Sequence, residues 1–295
     1  WGGYGGGIFI YANNAYPKII NSIIWSNFPE QIDILNASLP VITYSNIEED
    51  HPGIGNLNSS PNFVGLASGD FRLSDSSPSL GAGTLEGAPT TDIEGNSRPN
   101  PAGSNPDMGA YESSKSTRVT GKYYVMTTGD DLNSGSLSSP FLTIQRGLDA
   151  GYHGDTVIVY PGKYEGTVDY KKKNIVLASR YLATNDSTYR DKTVIQGDVT
   201  MDGLDSTAAL IGFMIYKKQV YVNDGSPVLK RLHIREGGQG LYINNANLTI
   251  NNLEVKNNVG AQVGGGGIYL YESTVTFNNA IIDSNSSGGS GGGVF

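Results

Sequence analysis

Short apolar runs recur along the second half of the chain, and each is bounded by Gly, Asn, Asp or Ser. From residue 208, four runs align beneath one another: AALIGFMIYKK, SPVLKRLHIREGG, ANLTINNLEVKNN and STVTFNNAIIDSN. Their matching apolar positions are Ile215, Ile234, Val255 and Ile282, which are 19, 21 and 27 residues apart. Repeats of this length, made of short strands without a helical period, predict a parallel β-solenoid.

The alternation inside a run predicts which side chains face the core. In LTINNLEV, four apolar side chains are expected to point inward: Leu248, Ile250, Leu253 and Val255. The pairs Asn251–Asn252 and Asn278–Asn279 are expected at successive bends, where stacked side-chain amides can bond from coil to coil.

The opening of the chain follows the same pattern, because PKIINSIIWSN aligns with TVTFNNAIIDSN. A tract rich in Pro and Gly follows and predicts a closing cap. We therefore expect residues 1–112 to be the last coils and the cap of one β-helix. Residues 113–121 (SSKSTRVTG) are polar and predict a linker. Residues 122–295 are expected to start a second β-helix.

A short helix is expected at residues 140–150 of this second part. Ser139 is the predicted N-cap and Pro140 the predicted first helical residue. Ile144 and Leu148 are one turn apart, so the helix should cover the open end of the first coil with its apolar side.

Composition narrows the possible functions. Among 295 residues there are 40 glycines and no cysteine, which excludes disulfides and thiolate metal sites. A net charge of −8 argues against nucleic acid as a partner. The sequence lacks an apolar run of the roughly 20 residues that a membrane-spanning helix needs. Since Trp1 is the first residue, we expect a segment of a longer protein.

Several motifs resemble known families. GDDLNSGSLSSPFLTIQRGLDAGYHGDTVIVYPGKYEG resembles the start of secreted right-handed parallel β-helix proteins of the pectate-lyase-like superfamily, and KKKNIVLASRYLATNDSTYRDKTVIQGDV is similar to those of Bacteroidetes-type bacteria. SSPSLGAGT with TDIEGNSRPNPAGSNPDMGAYES resembles the choice-of-anchor Q domain, in which Ile-Asp usually stands where this chain has Leu80 and Gly81. GGGI and FNNA are weakly similar to repeats of polymorphic outer-membrane proteins. The resemblance implies an all-β, right-handed parallel β-helix that is exported to the cell surface.

This fold hosts both enzymes and inert stalks, so the function depends on the site residues. A lyase would need acidic and basic groups at one position of adjacent coils. The solvent-side row contains Tyr216, Arg235, Lys256 and Asp283, which is mixed in sign and lacks an acidic pair. We therefore expect a non-catalytic stalk, filament or adhesin segment that assembles end to end with copies of itself or with tandem modules. The alternative is a carbohydrate-active β-helix, either a polysaccharide lyase-like enzyme or a glycan-binding module.

Tyrosines are the candidate contact residues for a glycan or a protein partner. Tyr242, Tyr269 and Tyr271 lie on predicted strands, and exposed rings on a sheet can stack on sugars. The competing interpretation is that the tyrosines serve strand packing.

Two further motifs could bind ions. Asp131 and Asn133 belong to a D-x-N-x-G phrase that supplies oxygen ligands for calcium, although the usual glutamate does not follow. An Asx-type turn before the helix is the alternative. KKK at 171–173 could contact an anionic glycan or occupy an ordinary turn. His233 is expected to face solvent beside an inward Leu232 and Ile234. No other cofactor is expected.

Overall fold

The computed structural model describes residues 6–11, 16–35, 39–115, 117–260 and 264–295. The chain divides into two compact units, which are residues 1–119 (unit 1) and 120–295 (unit 2). The assignment of residues 1–112 and 122–295 to two separate solenoids stays a prediction. None of the described helices is long and apolar enough to cross a membrane.

Unit 1 contains two coils of parallel strands followed by a hairpin and an irregular cap. Its strands are β1 (Ile8–Tyr11), β2 (Lys18–Ile20), β3 (Ile23–Ile24), β4 (Ile32–Leu35), β5 (Val41–Thr43), β6 (Asn46–Ile47), β7 (Phe63–Gly65) and β8 (Asp70–Leu73). Strands β1, β2 and β3 pair in parallel with β4, β5 and β6, whereas β7 and β8 are antiparallel and enclose a short 3-10 helix, Leu66–Ser68. Ile24, Ile42 and Ile47 form its buried apolar cluster.

Unit 2 is a longer stack of parallel coils. Its strands are β9 (Lys122–Val125), β10 (Thr156–Val159), β11 (Gly162–Glu165), β12 (Val168–Asp169), β13 (Val176–Ser179), β14 (Thr193–Gln196), β15 (Val199–Asp202), β16 (Ala209–Ile211), β17 (Met214–Tyr216), β18 (Val220–Gly225), β19 (Val228–Arg235), β20 (Leu241–Lys256), β21 (Val259–Gly260), β22 (Ile268–Tyr271), β23 (Thr274–Asp283) and β24 (Ser286–Ser287). Its helices are α1 (Ile144–Ala150), α2 (Tyr181–Thr184) and α3 (Thr188–Lys192). The predicted all-β parallel β-solenoid is confirmed.

The register of unit 2 follows the sequence alignment. Ile215 pairs with Ile234, Ile234 with Val255 and Val255 with Ile282 in successive coils. The first three of these side chains are completely buried, and Ile282 packs against the same core. The four inward side chains predicted in β20 are also all buried: Leu248, Ile250, Leu253 and Val255. Stacking therefore produces one apolar core from faces that a single coil could not bury.

Left-handed backbone forms the corners of these coils. Three rows of corner residues with positive φ run from coil to coil: Gly203, Asp224, Asn245 and Glu272; Gly212, Arg231, Asn252 and Asn279; and Lys217, Glu236, Asn257 and Ser284. Glycine and asparagine adopt this conformation at least cost, which explains the frequent Gly and Asn between apolar runs. The predicted asparagine ladder is confirmed, because the Asn278 amide donates to Asn251 at 3.1 Å and that of Asn279 to Asn252 at 3.4 Å.

Helix α1 covers the first coil as expected but begins at Ile144. The predicted start at Pro140 with Ser139 as N-cap is wrong. Phe141 remains extended because it pairs with β9, where its N–H donates to the Tyr124 carbonyl. Thr143 is the N-cap instead. Ile144 and Leu148 are buried in the solenoid core, as the apolar spacing predicts.

Helices α2 and α3 were not expected and form an insertion, residues 180–192, between β13 and β14. Tyr181 of this insertion packs on Ala178, Ala209 and Ile211, which together form a buried cluster separate from the main core. Ala178 and Ile211 pair in register and alternate with inward Leu177 and Leu210. The insertion thus covers apolar side chains on the outer face of the sheet, which explains why these positions are not polar.

Candidate functional site

Aromatic side chains stack from coil to coil on the outer face of unit 2. The rings of Tyr242 and Tyr269 are nearly parallel, with centroids 5.1 Å apart, and the ring of Phe295 lies 5.5 Å beyond Tyr269. Tyr221 precedes Tyr242 at 5.9 Å with tilted rings. These four residues are here called the aromatic row.

Stacking decides what the aromatic row can offer to a ligand. Both faces of the Tyr269 ring are occupied by Tyr242 and Phe295. A sugar therefore meets ring edges and phenol hydroxyls along the row. Tyr271 lies in the neighbouring outward row, paired with Asn244, and is half exposed. The role of Tyr242, Tyr269 and Tyr271 in glycan or partner contact stays a prediction.

Asp131 and Asn133 have structural partners in the turn before α1. The Asp131 carboxylate accepts hydrogen bonds from the backbone N–H of Leu142 and Thr143, both at 2.9 Å, and from the Thr143 hydroxyl at 2.8 Å. The Asn133 amide donates to the Pro140 carbonyl at 2.8 Å. These bonds are those of a turn that fixes the helix start. Calcium at Asp131 and Asn133 stays a prediction.

The triple lysine is largely engaged by α1. The Lys173 ammonium donates to three carbonyls at the end of that helix, those of Leu148, Asp149 and Gly151, at 3.0–3.2 Å. Burial is the main cause that lowers the pKa of Lys173. Lys171 pairs with the Asp149 carboxylate at 2.8 Å, and Lys172 is exposed. The run therefore caps a helix C-terminus, where unpaired carbonyls favour a cation.

Charged side chains that are distant in sequence meet beside the insertion. The predicted row Tyr216, Arg235, Lys256 and Asp283 is in register as expected. Glu254, two residues before Lys256, accepts from its ammonium at 2.6 Å and lies 3.5 Å from the Arg190 guanidinium. Arg190 also pairs with Asp191 at 2.9 Å.

The expectation that His233 faces solvent is wrong. Its side chain points away from the core, but α3 covers it and leaves the residue 8% exposed. Nδ1 lies 3.2 Å from the Asp191 carboxylate, and Nε2 lies 3.9 Å from Glu254. We call Arg190, Asp191, His233, Glu254 and Lys256 the charged cluster. The charged cluster could not be predicted from the sequence, because RYLATNDSTYRDK has no apolar period that would indicate where Arg190 and Asp191 lie.

The electrostatics of the charged cluster are those of mutual ion pairing. Burial alone would raise the pKa of Asp191, but hydrogen bonds from Arg190 and His233 outweigh it and lower that pKa. Burial likewise opposes a lowered pKa at Glu254, where Lys256, His233 and Arg190 prevail. Each carboxylate is thus matched by a cation, and the cluster fixes α3 on the coils. No group of three or more metal-ligating side chains is found among the residues that the structure describes.

In unit 1, charged side chains of the cap form a buried polar network. Arg98 and Glu112 make an ion pair at 2.8 Å with side chains that are 4% and 0% exposed. Asp107 accepts from the backbone N–H of Gly81 and of Ser113, both at 2.7 Å. Gly81 has a left-handed φ of 59°. The charged groups of Arg98, Asp107 and Glu112 thus bind other parts of the cap and stabilise its fold.

Two cap carboxylates have shifted pKa values in opposite directions. Burial is the main cause that raises the pKa of Asp107 to about 6. Burial also acts to raise the pKa of Asp92, but hydrogen bonds from Asn96, Glu112 and Glu94 lower it to about 2. In this network, hydrogen bonds stabilise the charged form of Asp92, whereas burial disfavours the charged form of Asp107.

A mostly apolar cavity of about 500 Å³ adjoins this cap in unit 1. Its lining includes Phe63 and Phe71, whose rings are perpendicular at 5.4 Å, and Ile93, which is 70% exposed. Its chemistry suits an apolar group.

Comparisons with known proteins give little further guidance. No family model matches the sequence, and no curated protein matches it. A solved structure titled rhamnogalacturonan lyase matches 57% of this chain and 56% of that chain at 13% sequence identity, with a TM-score of 0.20. The match thus spans about half the length of that protein. A similarity at this level carries no argument about activity.

Proposed function

We propose that this chain is a non-catalytic structural segment of an extracellular, cell-surface β-helix protein such as a stalk, filament or adhesin. The observation that carries the proposal is that outward side chains bond to the same position in the next coil. Besides the aromatic row and the asparagine ladder, the Asn245 amide donates to Asp224 at 2.6 Å and that of Asn223 to Asp202 at 2.6 Å. Polar groups that bond from coil to coil stabilise the stack and do not form a cluster that could act on a substrate.

Such a stack is suited to bear load and to extend. Each coil pairs with the next through parallel backbone hydrogen bonds, a contact that propagates rather than closes. Copies of the chain or tandem modules can therefore add end to end. The extracellular location rests on the resemblance of GDDLNSGSLSSPFLTIQRGLDAGY and of the cap phrases to secreted β-helix proteins.

Electron microscopy of the purified protein tests the structural role. We expect rods or long filaments of uniform width that show no lyase activity on acidic polysaccharides, measured as ultraviolet absorbance of unsaturated products. Turnover of any such polysaccharide would overturn the non-catalytic assignment. Antibody labelling of intact cells tests the location, and labelling that requires permeabilised cells would refute it.

A glycan-binding role is the second candidate, because Tyr271 is half exposed beside the hydroxyl edges of the aromatic row. Replacing Tyr269 and Tyr271 by Ala should abolish retention of the protein on immobilised polysaccharide. Tyr216→Ala, at an outward position in a different row, is the matched control. Unchanged retention of the double variant would exclude Tyr269 and Tyr271 as the contact residues.

A further inference from the structure

Three cations lie on or beside the outer face of unit 2 that the insertion covers. Arg180 begins the insertion, and Lys230 and Arg231 belong to β19. Lys230 pairs in register with Ile211, which packs under Tyr181. Arg231 follows at the corner of the same coil, with its guanidinium 4.8 Å from the centre of the Tyr181 ring. We call Arg180, Lys230 and Arg231 the arginine face.

Tyrosine rings hold both guanidinium groups in position. Arg180 lies 4.7 Å from the ring centre of Tyr160 and 5.4 Å from that of Tyr189. A guanidinium that stacks on an aromatic ring lies parallel to that ring. Its N–H groups then point outward in the guanidinium plane, where two of them can donate to one oxyanion. The tyrosines therefore fix the orientation of both arginines before any ligand arrives.

No described carboxylate pairs with the cations of the arginine face. Neighbouring cations differ, since Arg190 pairs with Asp191 at 2.9 Å and Arg235 with Glu236 at 2.9 Å. Three unpaired cations on a chain of net charge −8 thus indicate an anionic partner from outside.

The surroundings of the arginine face suit an acidic sugar chain. Along the solenoid, the column of Lys230 continues with Asn251 and Asn278, and that of Arg231 with Asn252 and Asn279. Guanidinium groups bind carboxylate or sulfate, and each amide of the ladder has further hydrogen-bonding capacity for a hydroxyl group besides its bond to the next coil. Arg180 follows β13 and Arg231 lies in the second coil beyond it, so the guanidiniums are separated by roughly 10 Å along the stack. This spacing fits oxyanions that recur along an extended polymer.

We propose that the arginine face binds an acidic polysaccharide through its carboxylate or sulfate groups. The site is separate from the aromatic row and from the triple lysine. It goes beyond the structural role and does not depend on it, because a stalk with or without this site would form the same rods. Failure of the binding experiment therefore leaves the microscopy result unaffected, and the reverse also holds.

Isothermal titration with three polymers of one backbone tests the proposal: carboxymethyl-dextran, dextran sulfate and unmodified dextran. We expect binding of at least one charged form, weaker binding at higher ionic strength and none of the neutral form. Preference between the two charged forms identifies carboxylate or sulfate as the bound group. Equal binding of neutral dextran would overturn the proposal, as would tighter binding of polyglutamate, which would indicate an acidic protein partner.

Variants locate the binding on the molecule. The double variant Arg180→Gln and Arg231→Gln should weaken binding about tenfold or more, since each loses a charge-assisted hydrogen-bonding group. Arg180→Lys with Arg231→Lys keeps the charge and should retain part of the affinity. Arg235→Gln, which removes a cation already paired with Glu236, is the matched control and should change binding less than about twofold. With circular dichroism and melting temperature unchanged, undiminished binding by the Gln double variant would refute the assignment.

Discussion

At the scale of single residues, the corners of the coils decide which side chains the solenoid tolerates well. One corner row contains Gly203, Asp224, Asn245 and Glu272, all with positive φ. Glu272 has φ 47° and is exposed, so its backbone conformation is strained without a compensating buried contact. For residues other than Gly, Asn and Asp, left-handed backbone costs about 1–2 kcal/mol of conformational free energy.

We therefore expect Glu272→Asn to stabilise unit 2 by about 0.5–1 kcal/mol. Asparagine tolerates left-handed backbone, and its amide would lie one coil beyond that of Asn245, extending an existing amide row. Urea unfolding measures the change. The matched control is Glu165→Asn, at an exposed position of β11, which should be neutral or slightly destabilising because asparagine disfavours strands. Destabilisation by Glu272→Asn would contradict the inference that left-handed backbone at this corner is strained for Glu272.

The raised pKa of Asp107 predicts how the stability of unit 1 depends on pH. Burial raises its pKa from 3.8 to about 6, so the folded state binds a proton more tightly than the unfolded state. Its contribution is fully present below about pH 4 and is lost as pH rises through about 6. Asp92, whose pKa is lowered to about 2, acts in the opposite direction only below pH 3.8.

The melting temperature of unit 1 should accordingly be higher at pH 5 than at pH 7. Asp107→Asn removes the titrating group and should flatten the curve across this interval. The variant should also be less stable at every pH, because an amide N–H₂ would face one of the backbone N–H donors of Gly81 and Ser113. The slope is thus the informative quantity, and an unchanged slope in the variant would assign the pH dependence to another group.

At the scale of elements, α1 depends on one lysine that is distant in sequence. Lys173→Met keeps most of the side-chain volume but removes three hydrogen bonds to the carbonyls of Leu148, Asp149 and Gly151. We expect a loss of about 2–3 kcal/mol in the free energy of unfolding, since the carbonyls would lose their donor in a partly buried place. Lys172→Met is the control, because Lys172 belongs to the same triple lysine but is exposed. Equal effects of the two substitutions would show that the cap contributes nothing.

The elements also show where sequence patterns are informative. Period-two alternation identified the inward residues of β20, and the repeat identified the register of Ile215, Ile234, Val255 and Ile282. Periodicity did not identify α2 and α3, because these short helices are held in place by contacts with other coils. Arg190 and Asp191 reach His233 and Glu254 only after the coils have stacked. Periodicity within one strand contains no information about such lateral contacts.

At the scale of the whole molecule, the buried clusters lie within one unit or the other. The main core and the cluster beneath the insertion contain residues of unit 2 alone, whereas Ile24, Ile42 and Ile47 belong to unit 1. Since burial of apolar surface provides most of the folding free energy, each unit contains its own source of stability. The two units divide after residue 119, and the linker predicted at 113–121 stays a prediction.

We therefore expect residues 120–295 to fold when produced without unit 1. Their circular dichroism should show strand structure, and their melting temperature should match one of two transitions in the full chain. The substitutions above assign the transitions, because Glu272→Asn should shift only that of unit 2 and Asp107→Asn only that of unit 1. A single transition that both substitutions shift would contradict independent folding. It would mean that the two units are coupled strongly enough to unfold as one, despite their separate cores.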